Sequence, residues 1–455
     1  MKVIAVLTTI ISLLCTGCSS FLISEFQSPY PYTFIQSSTE TVSPKSSLNW
    51  TLFDDSNLNY WLKIVLNRNN DLSIAELVLK RTKLQEERVR GNFFPDINTS
   101  IQNSHSKLMS TSSDWTESTG ASFGGSYAID LWGGSSAQRE AAGWLSKASL
   151  EDLNTIKQKL LLNAAINYWH LGLINAEIKT SESTLVYASR ALMLARSRYR
   201  AGKISGQDVI NAQESISNIE IQLLSLKNEH QQLISDRNIL AHLPTDAVLF
   251  EPKSISLVQM PLLKNENLVY SLRNRSDIKA KENLLRKALL DSDITRFNYY
   301  PVFNITGSLG TSSDRILRFL ENPVSSVSSS LAFPFIAWNQ MEIDTKIAHN
   351  SYEQQVLEFK QYLLNAMNEI NNAISLNLEI FQEEKFTRTQ IEMARELEHI
   401  NEIRYHLGAT DIKPWLDAQQ QLRQAELSLL VLNYKKRVNL ADLYLKLGYK
   451  IPVKR

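Results

Sequence analysis

The sequence predicts a mainly α-helical chain with a small β part. It is read as two tandem structural repeats that give long coiled-coil helical hairpins and four transmembrane β-strands per chain. Three observations carry this. The chain matches itself at one offset of 206 residues. It contains runs without Gly or Pro that far exceed an ordinary globular helix. Between those runs lie short segments in which apolar and polar residues alternate, the period of a strand with two unlike faces.

The N-terminus comes first. Lys2 is followed by an apolar stretch from Val3 to Leu14, too short to span a bilayer as a helix. It ends in Cys15-Thr16-Gly17-Cys18-Ser19, which resembles a bacterial lipobox, with Cys15 where the usual pattern has Leu. That resemblance implies a signal peptide over residues 1–17 and acylation of Cys18; Ser19 and Ser20, rather than Asp, imply sorting to the outer membrane. An ordinary signal peptide cut nearby is the alternative. Residues 18–48 then form a lipidated, extended tether, kept open by Pro29, Pro31 and Pro44. The chain has only the two cysteines Cys15 and Cys18, so after processing no disulfide could brace it. The formal charge of +1 gives no electrostatic case for nucleic acid. Beyond the signal there is no apolar run long enough for a membrane helix, which leaves a barrel, an anchored protein, or both.

The repeat organises the rest. At the offset of 206, Asp71 meets Asp277, Pro95 meets Pro301, and Trp132 meets Trp338. Further along, Arg198-Tyr199 meets Arg404-Tyr405, Gly202 meets Gly408, and Ala212-Gln213 meets Ala418-Gln419. The two copies are residues 49–254 and 255–455, each with the plan helix, two strands, helix, turn, helix. In the second copy, Lys264–Tyr300 and Met341–Leu407 contain neither Gly nor Pro. The latter run, as one helix, would reach about 100 Å at roughly 1.5 Å per residue. In the first copy the matching run, Trp144–Ala201, is interrupted only by Gly172. Its apolar stripe passes through Leu153, Ile156, Leu160, Ala164, Leu171, Ile174 and Ile178, then Leu185, Ala188, Leu192, Ala195 and Tyr199. Such spacing is the narrow seam of a long helix against its neighbours.

The strands follow from the change of period. Ile97, Thr99, Ile101 and Asn103 alternate with Asn98, Ser100 and Gln102; Ala121, Phe123, Gly125, Tyr127, Ile129 and Leu131 alternate with small polar residues. The second copy offers Phe303, Ile305, Gly307 and Leu309, then Val327, Ser329, Leu331, Phe333 and Phe335. Segments of about ten residues suffice for a tilted strand to cross a bilayer. The Ser-rich stretches 105–118 and 310–323 are expected to be hairpin tips. Four strands cannot close a water-filled barrel, whereas three chains supplying four each could. A soluble sandwich edge is the alternative.

The ordered set of lipobox, two-copy plan, Phe93-Phe94-Pro95 with Tyr299-Tyr300-Pro301, Leu131-Trp132-Gly133 and two Arg-Tyr-x-x-Gly turns resembles the TolC family of outer membrane efflux and export proteins. The lipidated branch of that family, typified by OprM, CusC and NodT-like proteins, is the nearest. What the resemblance implies is a homotrimer with a shared 12-stranded barrel in the lipid of the outer membrane and a periplasmic α-helical tube. A periplasmic adaptor and an inner-membrane transporter of RND or ABC type would be its partners. The chain would be the passive exit duct of a tripartite efflux or type I-like export system, with no cofactor.

The resemblance also marks candidate residues. The turns at 198–213 and 404–419 correspond to the family's periplasmic tip, where adaptors dock and the tube narrows. Arg198, Tyr199, Gly202, Ser205, Asp208, Arg404, Tyr405, Gly408 and Thr410 are its candidate docking and gate residues. From the residues themselves, Gly202 can end the incoming helix at positive φ, and Ser205 or Asp208 can cap the next. Pro414 suits a first helical turn, capped by Thr410 or Asp411. Asp417 matches a pore-facing aspartate of the family's constriction, and Asn211 stands at the equivalent place in the first copy. A second family aspartate falls on Pro414, which implies a weaker charge ring. Tyr405 and Asp208 match residues that link neighbouring hairpins; the expected basic partner is replaced by Thr410, with Arg404 or Lys413 as substitutes.

Signals for chemistry are poor. The seven histidines include no His-Glu-x-x-His; neither a phosphate-binding loop nor a nucleophile elbow is present; the methionines do not cluster. The chain is therefore expected not to be an enzyme. A structural or adhesive outer-membrane lipoprotein with a coiled-coil stalk is the alternative, although a stalk has no need of the strand pairs. A periplasmic adaptor would need a lipoyl-like β domain that the sequence does not show.

Overall fold

The computed structural model describes residues 23–30, 53, 55–107, 115–255, 272–313, 323–334 and 338–449. Cys18, the signal segment and most of the tether lie outside them. The described elements run α1 (Ser56–Arg68), α2 (Asn70–Gly91), β1 (Asp96–Ser106), β2 (Thr116–Ile129), α3 (Gly134–Arg200) and α4 (Gly206–Leu240). They continue with α5 (Ser276–Phe297), β3 (Val302–Ser313), β4 (Pro323–Ala332), α6 (Trp338–His406) and α7 (Lys413–Lys446). The offset of 206 that relates the two halves of the sequence recurs in the element bounds. α2 and α5 start at Asn70 and Ser276 and stop at Gly91 and Phe297. α3 and α6 stop at Arg200 and His406, and α4 and α7 at Leu240 and Lys446.

Two expectations change. The run Lys264–Tyr300 is not one helix: within its described part the chain leaves the helix at Arg275 and restarts at Ser276. The same break falls at Asn69, 206 residues earlier, where the backbone is extended (φ −68°, ψ 127°). There the Asn69 side chain accepts the Leu72 N–H at 3.0 Å and so opens α2. Gly172, in turn, does not interrupt α3. A Cβ there would stand 3.3 Å from Ile255 and 3.4 Å from the Ser254 carbonyl, so the glycine admits a close chain crossing.

The chain divides into two compact units, each drawing segments from both halves of the sequence. The first contains residues 77–151 and 279–361 with the N-terminal segment up to Tyr30. Its centre is an antiparallel sheet of order β1-β2-β3-β4, so the halves meet at the β2–β3 pair. Direct cross-strand partners share a face, and register therefore sorts the side chains. Ile97 faces Gly125, Thr99 faces Phe123, Ile101 faces Ala121, Phe123 faces Leu309, and Tyr127 faces Ile305. Phe303 faces Leu331 and Gly307 faces Val327. All of these lie on one face. The opposite face carries Asn98, Ser100, Gln102, Ser122, Gly124, Thr306, Ser308, Gly310, Ser326 and Ser328, interrupted by Val324 and, at the helix end of the sheet, by Ala128, Val302 and Ala332. Serine pairs hydrogen-bond across it, Ser100 to Ser122 at 2.8 Å and Ser308 to Ser326 at 2.6 Å.

The strands reach further into the Ser-rich stretches than expected: β1 extends to Ser106, β2 starts at Thr116, β3 extends to Ser313 and β4 starts at Pro323. At the other end they stop short, β2 at Ile129 and β4 at Ala332, leaving Leu131 and Phe333 outside; Phe335 lies outside the described residues. Trp132 then ties the halves together by donating its indole N–H to the Pro301 carbonyl at 2.7 Å. Asp130 opens α3 by accepting the N–H groups of Ser135 and Ser136 at 3.3 and 2.9 Å.

The second unit contains residues 31–76, 152–278 and 362–455. Its main core joins Leu58, Trp61, Leu62 and Val65 of α1 to Leu160, Leu161, Ala164, Tyr168 and Trp169 of α3 and Leu440, Ala441 and Tyr444 of α7. The Trp61 indole satisfies its donor on the Ala164 carbonyl at 2.9 Å. Of the stripe read on α3, Leu160, Ala164, Leu171, Ile174, Ala188 and Ala195 are buried, while Ile156 and Tyr199 remain exposed in the single chain.

Candidate functional site

Gly202 and Gly408 end α3 and α6 in the left-handed region, at φ +69° and +74°. The bonds that follow are the same in both copies. The Lys203 N–H returns to the Arg198 carbonyl and the Ala409 N–H to the Arg404 carbonyl, each at 2.9 Å. This six-to-one closure satisfies carbonyls that the helix end leaves open.

The helix starts differ. At α4, Ser205 is the N-cap; its N–H and hydroxyl donate to the Asp208 carboxylate at 3.1 and 3.2 Å. At α7 the N-cap is Ile412, which has no side-chain acceptor, so neither Thr410 nor Asp411 caps it as expected. Asp208 is buried, and its second oxygen accepts the Ile412 N–H at 3.4 Å. One carboxylate thus serves two helix N-termini, where negative charge is favoured. Pro414 lies in the first turn of α7.

Arg198 completes the link between the hairpins. Its guanidinium donates to the carbonyls of Tyr405 at 2.7 Å and His406 at 3.0 Å, the last carbonyls of α6. It also lies 4.5 Å from the centroid of the Tyr405 ring. Tyr405 is fully buried and stacks on Trp415, with centroids 5.4 Å apart at 26°. Ala191, Ala195, Ala212, Ile412 and Leu416 close this small core. Burial pushes the Tyr405 phenol up; the Arg198 charge opposes this and the Asp208 charge adds to it.

The expected basic substitutes do not make this bridge. Lys413 reaches instead along its own helix to Asp417 at 3.2 Å, with both side chains exposed. Asn211 is half-buried, Thr410 half-buried, and Arg404 and Tyr199 exposed. Tyr199 covers Gly206, where an added Cβ would stand 3.7 Å from its ring. Sequence reasoning missed Trp415, which anchors Tyr405 and donates its indole N–H to Glu398 at 2.8 Å; a tryptophan in a helix's first turn, directly after Pro414, was the available signal. Among the described residues no cluster could hold a metal ion, and no helix is long and apolar enough to cross a membrane.

A two-faced sheet of four strands joined to long antiparallel helix hairpins defines the class of outer-membrane channel protomers. The outer membrane efflux protein model matches residues 61–238 and 268–449. The chain belongs to that family. It is 24% identical to toxin and drug export protein A of Aggregatibacter actinomycetemcomitans over 94% of each chain. It is 23% identical to cation efflux system protein CusC of Escherichia coli (strain K12), over 96% of this chain and 97% of that one. Among solved structures it is similar to the outer-membrane channel OprN, with a TM-score of 0.85 and 21% identity over 95% of this chain and 99% of that one. The protein is an outer-membrane efflux channel, an exit duct that extends into the periplasm.

Proposed function

We propose that three copies assemble into one conduit, each giving its four strands to a 12-stranded barrel and its helices to a periplasmic tube. The observation that carries this is the open sheet. β1 and β4 are its edges, one face is apolar and exposed, and the other is polar, which suits lipid outside and water inside. Exposed Leu77, Leu84, Ile343, Ile347, Leu378 and Phe381 on α2 and α6 support burial against further helices. The two halves, 49–254 and 255–455, act as two copies of one efflux unit. Residues 1–17 are removed, and acylated Cys18 with the tether of residues 18–48 anchors each chain. A periplasmic adaptor docks at the paired turns around Arg198, Tyr199, Gly202, Ser205, Asp208, Arg404, Tyr405, Gly408 and Thr410, and an inner-membrane transporter drives the cargo. The chain catalyses nothing and needs no cofactor. A coiled-coil stalk or adhesin does not account for the two-faced sheet.

Asp417 forms the pore constriction, with Asn211 beside it as an uncharged hydrogen-bonding group. The exposure of Asp417 supports this: nothing in the protomer buries it. The test is single-channel conductance of the full acylated protein in planar bilayers. Wild type should give small, weakly cation-selective currents; Asp417→Ala should give larger currents shifted toward anions. Unchanged currents would reject Asp417 as the constriction. A folded protein with no channel activity would reject the conduit.

A further inference from the structure

In the first unit, the end of α2 and the start of α3 border a groove of about 860 Å³. Its charges are unevenly matched. Arg90 pairs with Glu86 at 2.7 Å, and Glu140 accepts the Trp144 indole N–H at 3.1 Å. Arg139 lies over the Phe93 ring, 4.8 Å from its centroid, and has no ion-pair partner among the described residues. Phe94 beside it is 73% exposed. An arginine stacked on an aromatic ring keeps its planar fork of N–H donors available for a bidentate oxyanion.

Position along the membrane normal supplies the ligand. Phe94 stands two residues before β1, which has 11 residues. At about 3.3 Å per residue and a tilt of about 45°, that strand rises roughly 25 Å, the height of a barrel's apolar band. The strand's start is therefore a membrane boundary, and because the helices begin there it is the periplasmic one. Arg139 lies five residues into α3, about 8 Å along its axis, within reach of a headgroup layer roughly 5–8 Å deep. Lys147, over the Trp144 ring at 3.8 Å, is about 20 Å along and beyond it.

The groove also faces outward. Ile23 packs against the same small core of Ala137, Ala141, Leu290 and Phe297 that Trp132, Trp144 and Tyr300 cover, and Ser24 holds Asp293 through its N–H and hydroxyl at 2.7 and 2.8 Å. Arg286 bridges Phe26 and Trp144, 4.1 and 4.9 Å from their centroids. Ile23 is five residues from Cys18, at most about 18 Å of chain. An acylated Cys18 must lie in the lipid outside the barrel wall, so the surface that carries Trp144 lies on that side too.

We infer that this groove binds the headgroup of a phospholipid of the inner leaflet, with Arg139 as the phosphate ligand and Phe93 and Phe94 as the floor for its glycerol and first methylenes. The inference rests on membrane insertion of the strands and on acylation of Cys18. Arg90 is matched by Glu86, which leaves Arg139 as the cation at headgroup depth without an ion pair among the described residues, so phosphatidylglycerol is preferred over phosphatidylethanolamine, whose ammonium adds a like charge. The described residues of the second half do not repeat the site: Thr345 stands at the position equivalent to Arg139, and the Tyr299 hydroxyl is held by Asp344.

Native mass spectrometry of the full acylated protein, given equimolar phosphatidylglycerol and phosphatidylethanolamine in mild detergent, tests this. Wild type should retain phosphatidylglycerol selectively. Arg139→Gln should weaken retention roughly tenfold, the loss of one charge-assisted contact, and Lys147→Gln should leave it unchanged. Four results would overturn the site: no selective retention by wild type, equal retention by Arg139→Gln, an equal loss with Lys147→Gln, or intact retention with an oligomer that melts earlier. The last would make a neighbouring chain the partner of Arg139. Conductance, measured separately, distinguishes this failure from failure of the conduit.

Discussion

Arg275, Asp277 and Tyr362 show how one residue can make a helix break firm. The Arg275 fork meets Asp277 through two bonds, at 3.0 and 2.7 Å, and Glu369 at 3.1 Å. Asp277 also accepts the Tyr362 hydroxyl at 2.8 Å and the Ile278 N–H at 2.9 Å. Burial alone would raise the Asp277 carboxyl, but the Arg275 hydrogen bonds and charge, with those from Tyr362 and Ile278, hold it below the ordinary carboxylate value. A depressed folded pKa gives stabilisation that is complete above the unfolded value, near pH 4, and is lost as pH falls through the folded one. Asp277→Asn should therefore destabilise the protein by on the order of 2 kcal/mol at neutral pH, because it leaves the buried guanidinium with Glu369 as its one carboxylate among the described residues. The variant should also lose less stability than wild type as pH drops below about 4. Thermal melting against pH reads both. A melting point equal to wild type at pH 7 would show that the cluster is not coupled to folding.

The sheet shows the same logic over an element. Phe123 stands midway along β2 on the apolar face, opposite Thr99 and Leu309; Ser122 next to it faces Ser100 and Gly310 on the polar one. An arginine on the lipid side near the membrane midplane costs about 2–4 kcal/mol, and one facing water costs little. Phe123→Arg should therefore sharply reduce the folded oligomer in the outer-membrane fraction, while Ser122→Arg should leave its amount near wild type. Equal yields would mean that the faces are assigned the wrong way round or that neither meets lipid. This two-faced sheet was legible in the sequence because a strand's period of two leaves a direct trace, and so were the long helices, because Pro is absent from both α3 and α6 and Gly is absent from α6 and rare in α3. The break at Arg275 was not. Asn274, Ser276 and Asp277 are turn and cap residue types, but inside a run without Gly or Pro they mark no stop by themselves; the break is fixed by Tyr362 and Glu369, some 90 residues away, which complete the Arg275–Asp277 pair. Nor was the start of α7: its donor is satisfied by Asp208 from the other hairpin, so the nearby Thr410 and Asp411 misled a local reading. Arg198 was legible as a turn residue by repetition, but its role as the bridging cation depends on a partner 207 residues on.

At the scale of the assembled channel, Lys413 changes what Asp417 can do. The pair is solvent-exposed, so it contributes little to stability. Its effect is on the field in the pore. In the trimer we propose, three Asp417 carboxylates converge with three Lys413 ammonium groups one helical turn away, and the constriction is close to neutral. A near-neutral constriction predicts weak rather than strong cation selectivity, in a chain whose second ring position is occupied by Pro414. Lys413→Gln would leave three uncompensated carboxylates. It should move the reversal potential in a KCl gradient toward that of an ideal cation channel, opposite in sign to the shift of Asp417→Ala. Both shifts should shrink as ionic strength rises from 0.1 to 1 M, because the screening length falls from about 10 to 3 Å. If Lys413→Gln left the reversal potential unmoved while Asp417→Ala shifted it, the ammonium would face away from the pore and Asp417 would act there as an unpaired charge.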